Sequence, residues 1–153
     1  MHISDDAPAI PLWINGHAYL TMAHSFVDIC NRATGEVIRR TPLCGADEAA
    51  KAVEAAGAAV VRWANESSTA RAAILADMAL ALEGYARHFA KLIVEETGKD
   101  AEAAGAEVAA SIGLLRQGAN PQGLASQGVV AIFSDDSQPL YGPLSCVVQA
   151  LLA

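Results

Sequence analysis

Aromatic side chains are scarce in this sequence, only 5% of 153 residues, although 53% are hydrophobic. Alanine, roughly a fifth of all positions, fills the gap, which implies a helix-rich globular chain and excludes disorder for most of it. Positive charge is also short. Ten Lys and Arg face 17 Asp and Glu, a formal net charge of −7, and no basic residue follows Arg116. That balance argues against nucleic acid as a partner. Three cysteines, Cys30, Cys44 and Cys146, are odd in number and widely spaced, so neither a disulfide framework nor a zinc-ligand pair is indicated, and each is expected to be a small buried or half-buried apolar residue. No apolar run approaches the ~18 residues that span a bilayer, because Ser145 and Gln149 interrupt the best stretch, 143–153. No membrane association is expected. The opening residues lack a basic segment followed by an apolar one, so the expected compartment is the cytoplasm. The length suits one domain of ordinary size.

What is present reads in three blocks. Leu12-Trp13-Ile14 and Ala18-Tyr19-Leu20 flank Asn15-Gly16, a dipeptide suited to a tight hairpin turn. Ser25 to Ile29 and Glu36 to Arg39 flank Asn31-Arg32-Ala33-Thr34-Gly35 in a second hairpin. From Ala46 the period changes from two to about 3.6. Ala49, Val53, Ala56, Val60 and Trp63 share one face of an amphipathic surface helix. Ser67 or Ser68 caps the next helix, whose stripe of Leu75, Met78, Leu82, Tyr85 and Phe89 is expected to face a core, with a break at Gly84. Gly98 terminates a helix, and a further one runs from Asp100 to Gln117 with Val108, Ile112 and Leu115 inward and Glu102 and Glu107 outward. Asn120 to Gln127 reads as a short polar connection. Gly128 to Phe133 has the composition of a strand buried on both faces, and an apolar helix follows to the end. The expected fold is mixed α/β: residues 1–11 a tail, then one domain over 12–153, with hairpins at 12–40, helices at 46–117, and a strand plus helix at 128–153. That strand has no parallel partner within the chain, so it is expected to recruit another chain, pair with the hairpins or aggregate.

Chemistry-bearing motifs are few. Neither Gly-x-Gly-x-x-Gly nor Gly-x-x-x-x-Gly-Lys occurs, and there is no Gly-x-Ser-x-Gly or His-Glu-x-x-His. His2, His17, His24 and His88 lack ligand spacing. Cys146 has no basic neighbour to activate it and reads as a core residue. Asp135-Asp136 follows the strand where α/β proteins bind ligands, but adjacent carboxylates repel phosphate, and a solvated turn is the better reading. Glu95-Glu96 ends a helix, where the dipole disfavours negative charge; Lys99 or a cation is expected to offset it.

The collinear set Trp13-Ile14-Asn15-Gly16, Asn31-Arg32-Ala33-Thr34-Gly35-Glu36, Pro42, Ala52 to Ala56, Trp63, Arg71, Glu96-Thr97-Gly98-Lys99, Glu107-Val108 and Leu115-Arg116 resembles the amino-terminal portion of the NAD(P)-dependent aldehyde dehydrogenase superfamily. Arg32 stands where the family has proline. Gly128 to Ala131 and Pro139-Leu140 resemble the first Rossmann-type strand and the following helix of an incomplete cofactor domain. The family's Thr-Pro-Trp-Asn between them is here Ser134-Asp135-Asp136-Ser137, which removes the asparagine of the oxyanion hole. The resemblance implies NAD or NADP near Phe133, Ser134 and Ser137. It also implies a monovalent cation held by the Asp28 or Ile29 carbonyls and by Glu96. The connection at Asn120 to Gln127 is shorter than the hairpin that family members use to oligomerise. The family reaction is thiolate attack on an aldehyde, hydride transfer to NAD(P)+ and thioester hydrolysis, and none of the three steps has its residues among these 153.

No catalytic residue is therefore expected here, and no cofactor is expected on this chain alone. The leading expectation is an aldehyde-dehydrogenase-like protein incompetent by itself. The alternatives are a non-catalytic subunit or scaffold that self-associates or docks on a protein partner through the 128–133 strand and the apolar stretch Leu144 to Leu152, and a fragment of a split enzyme.

Overall fold

A computed structural model describes residues 7–118 and 128–153. The expected connection at Asn120 to Gln127 lies outside them. Strands β1 (Leu12–Ile14) and β2 (His17–Tyr19) form the first hairpin, antiparallel with Trp13 opposite Ala18. Asn15 at φ 53° and Gly16 at φ 75° make its turn, the pair of left-handed residues that a two-residue loop of this twist requires. Strands β3 (Phe26–Cys30) and β4 (Val37–Pro42) form the second hairpin, with a register shift at Ile29/Cys30. The Asn31 side chain accepts from the amides of Ala33 and Thr34 at 2.9 and 3.2 Å, which fixes that turn locally. The expected tail is partly tied down: Ile10 N donates to Arg40 O at 2.7 Å and Arg40 N to Pro8 O at 3.0 Å, beside β4.

Among the described residues five helices follow: α1 (Ala46–Ala64), α2 (Ser68–Gly84), α3 (Ala86–Thr97), α4 (Ala101–Gln117) and α5 (Tyr141–Leu152). Ser67 caps α2 by accepting from Ala70 N, and Asp100 caps α4 by accepting from Ala103 N. Gly98, at φ 76°, ends α3 in the left-handed conformation. The core lies where α2, α3, α4 and α5 meet, around Leu75, Ala79, Leu82, Ile93, Ala104, Val108, Ile112, Leu115 and Val148. Gly118 sits against it so closely that an added Cβ would lie 2.8 Å from Leu75 Cδ1 and 3.2 Å from Val148 Cγ1.

Several expectations are corrected. Residues 128–133 form no strand: among the described residues two sheets of two strands each occur, both in the N-terminal hairpins, and neither extends to this run. Val129, Val130 and Phe133 are exposed, Phe133 at 94%, because an extended apolar segment is buried only when neighbouring strands supply a ladder and two faces. Tyr85 points outward, since it is the junction between α2 and α3 rather than part of either stripe. Helix α1 buries no residue fully, and Val53 is exposed despite its place on the apolar face. All three cysteines are exposed and free. In the apolar stretch Leu144 to Leu152, Val148 is buried in the core and Leu144, Leu151 and Leu152 pack against it, partly buried. Glu107, expected outward, is 7% exposed. None of the helices is long and apolar enough to cross a membrane, among the described residues.

Candidate functional site

The region of interest is the 133–141 segment and the side chains beneath it. Asp135 folds the segment on itself, its Oδ1 accepting from Ser137 N at 2.9 Å and from Ser137 Oγ at 2.5 Å. Those two hydrogen bonds hold the Asp135 carboxyl below the ordinary aspartate range. Pro139 and Leu140 then lead into α5. Leu140 has helical backbone angles and α5 lacks a side-chain cap of its own.

Glu107 supplies that cap from α4. Its Oε1 accepts from Leu140 N at 2.9 Å and Tyr141 N at 3.2 Å, 33 and 34 residues along the chain. The other oxygen, Oε2, takes Lys99 Nζ at 2.5 Å. Burial pushes the Glu107 carboxyl up, but the Lys99 hydrogen bond, the two amides and the Lys99 charge outweigh it, so the carboxyl lies below the ordinary glutamate range. Lys99 is itself placed locally, its amide donating to Thr97 Oγ1 at 3.2 Å just after the left-handed Gly98. Sequence reasoning missed Glu107 although the signal was there: Ala104, Glu107, Val108, Ser111, Ile112 and Leu115, all buried, follow the spacing of one helical stripe.

The residues implied for a cation lie beside arginine side chains. Glu96 Oε1 accepts from Arg39 Nη1 at 2.8 Å, and Glu95 Oε2 lies 3.8 Å from Arg39 Nη2. The cations that offset this acidic helix end are therefore Arg39 on β4 and, for Glu95, Lys91 at 3.5 Å, not Lys99. Asp28 is held by Arg40 Nε at 3.0 Å, and Ile29 faces Arg39 in the ladder. At Glu96, a further cation would meet the Arg39 guanidinium where it sought a ligand. No group of three or more His, Cys, Asp or Glu side chains is arranged to hold a metal among the described residues.

A dinucleotide is also poorly matched to the implied positions. Phe133 is exposed, the Ser137 hydroxyl is committed to Asp135, and Asp135-Asp136 bring negative charge to a segment that has no Lys or Arg after Arg116. A pyrophosphate there would meet the Asp135 and Asp136 carboxylates rather than a counter-charge, with the Ser137 hydroxyl already engaged. Cys146 is exposed, with Ser145 Oγ 3.9 Å from its sulfur.

The sequence model of the aldehyde dehydrogenase family matches residues 19–142. The chain belongs to that family. N-succinylglutamate 5-semialdehyde dehydrogenase of Salmonella heidelberg is 31% identical over 160 residues, which cover 93% of this family member and 32% of the Salmonella enzyme. The fold of this chain overlays the crystal structure of lactaldehyde dehydrogenase from Escherichia coli with TM-score 0.72 at 31% identity, over 74% of this chain and 24% of that one. HpcC from Thermus thermophilus shares the fold at TM-score 0.87 and 20% identity, over 94% of this chain and 32% of HpcC. This aldehyde dehydrogenase family member thus spans about a third of the length of the curated relatives it matches.

Proposed function

We propose that this chain provides the amino-terminal part of the cofactor domain of an NAD(P)-dependent aldehyde dehydrogenase, and that residues 1–153 alone neither bind the dinucleotide productively nor oxidise an aldehyde. The observation that carries the reading is the near-complete overlay on HpcC, 94% of this chain against 32% of that one, together with a 133–137 segment in which Asp135 engages the Ser137 amide and hydroxyl. One solved relative, a glyceraldehyde-3-phosphate dehydrogenase from Bacillus halodurans, is complexed with NADP, which supports a nicotinamide cofactor for the whole fold. Three free cysteines accord with a reducing compartment, and the cytoplasm is the proposed location.

The direct test measures reduction of NAD+ and NADP+ by the purified chain with lactaldehyde and N-succinylglutamate 5-semialdehyde, beside calorimetric titration of both nucleotides. The reading expects no turnover and no micromolar binding. Turnover that disappears in Cys146→Ala would overturn it.

A second reading is a non-catalytic subunit that self-associates or docks on a protein partner. It is favoured by the exposed 129–133 run and by an apolar cleft of about 290 Å³ between α1, α5 and Val129-Val130, lined also by Trp63 and Leu151. Sedimentation across a concentration series separates the two readings: a discrete oligomer from this chain alone supports the second.

A further inference from the structure

Glu107 joins three elements that are distant in sequence. Its carboxylate receives Lys99 from the end of α3, stands on the buried stripe of α4, and takes the amides of Leu140 and Tyr141 at the start of α5. The positive end of α5 and the Lys99 ammonium both favour a carboxylate at this point. α5 has no charged side chain over Tyr141–Leu152, and on α4 the polar neighbour Ser111 donates to the Glu107 carbonyl, so Lys99 is the charged group that bears on the carboxylate.

The 134–138 stretch contributes little to its own seat. Ser134 to Gln138 are exposed, and the Asp135–Ser137 hydrogen bonds lie within the stretch itself. Its attachment to the rest of the fold comes through the Gln138 carbonyl, which accepts from Gly142 N at 2.9 Å, and through Pro139 and Leu140, which form one wall of a cleft of about 170 Å³ with Phe89, Leu92, Ile93 and Glu96.

We propose that Glu107 is a positioning residue for the 134–139 loop: by gripping the Leu140 and Tyr141 amides it fixes where the loop leaves the helical core and keeps the 139–140 wall against α3. The loop behind this latch is a small rigid turn. When the latch opens, the turn swings as a unit and the core formed by α2 and α4 stays closed. The inference concerns this chain's own residues and does not depend on whether nucleotide binds.

Hydrogen exchange on the full chain tests it, with Glu107→Gln, Glu107→Asp and Lys99→Met beside wild type. Glu107→Gln keeps the side-chain volume and loses the charge. Exchange over 134–141 is expected to rise about tenfold or more in this variant while the Leu75–Leu82 amides of α2 keep their protection, the pattern of a local opening. Glu107→Asp is expected to fall between, and Lys99→Met to loosen the same amides less. In wild type the exchange of 134–141, corrected for intrinsic chemistry, is expected to rise on acidification, and in Glu107→Gln to lose that dependence. Equal loss of protection in α2 and at 134–141 would make Glu107 a general stabiliser and overturn the proposal, as would unchanged exchange at 134–141. If Glu107→Gln does not fold, the same comparison in Lys99→Met and the wild-type acid profile decide it. Nucleotide titration stays a separate measurement, so failure of the dehydrogenase reading leaves this result intact.

Discussion

The indole N–H of Trp63 donates to the carbonyl oxygen of Leu151 at 2.9 Å, tying the last turn of α1 to the last turn of α5 across 88 residues. The same indole ring lies 5.8 Å from the Arg71 guanidinium. One side chain thus satisfies a helix-terminal carbonyl and seats α1, a helix that buries no residue fully, on the rest of the fold.

Replacing Trp63 by Phe removes the donor and keeps most of the apolar area. Stability is expected to drop by about 1 kcal/mol, the net worth of one such hydrogen bond. Urea unfolding followed by circular dichroism measures it, and proteolysis in α1 should quicken before the core opens.

Leu75 is fully buried where α2 meets α4 and α5. Leu75→Ala is expected to cost about 2–5 kcal/mol, because the cavity it leaves is closed in on every side. Val53→Ala on the exposed side of α1 should change the urea midpoint little, and equal losses in the two variants would contradict the assigned core.

Gly118 carries no unusual backbone angle, with φ −58°, so its requirement is space alone. A methyl group there meets Leu75 and Val148, both locked in the core. Gly118→Ala is expected to destabilise by about 1–3 kcal/mol through overpacking, read as a lower midpoint in the same urea titration. Gly57, with nothing near its missing Cβ, provides the contrast, since Gly57→Ala within α1 should stabilise.

Acid should unfasten the Glu107 latch. The folded-state pKa is lowered, so the carboxylate stabilises the fold fully above the ordinary glutamate pKa, and that contribution is lost as pH falls through the depressed folded value. Thermal melts from neutral pH to about pH 3 are expected to show a fall in wild type that is shallower in Glu107→Gln. A fall of the same steepness in both would mean that other carboxylates carry the acid sensitivity.

Exposed Phe133 and Val130 are expected to drive whatever self-association the chain shows. Val130→Asp with Phe133→Ser should shift sedimentation towards monomer without lowering the melting temperature. An unchanged oligomer would place the contact elsewhere.

The local features were legible in the sequence because each is decided within a few residues. Asn15-Gly16 can adopt the left-handed angles that its hairpin requires, Asn31 and Gly35 close the second turn, Ser67 and Asp100 offer oxygens to free amides, and Gly98 accepts a positive φ that other residues resist. The family was legible as well, since its motifs are collinear along the chain. Tertiary structure alone decided the rest. Glu107 looked like a surface acid until Lys99 and the start of α5 arrived beside it, because burying a carboxylate requires partners that periodicity does not reveal. The Glu95-Glu96 helix end needed Arg39 from a strand more than fifty residues earlier. The apolar run at 128–133 had the composition of a strand, but a strand exists only where a neighbour completes its ladder, and within the described fold no strand stands beside it.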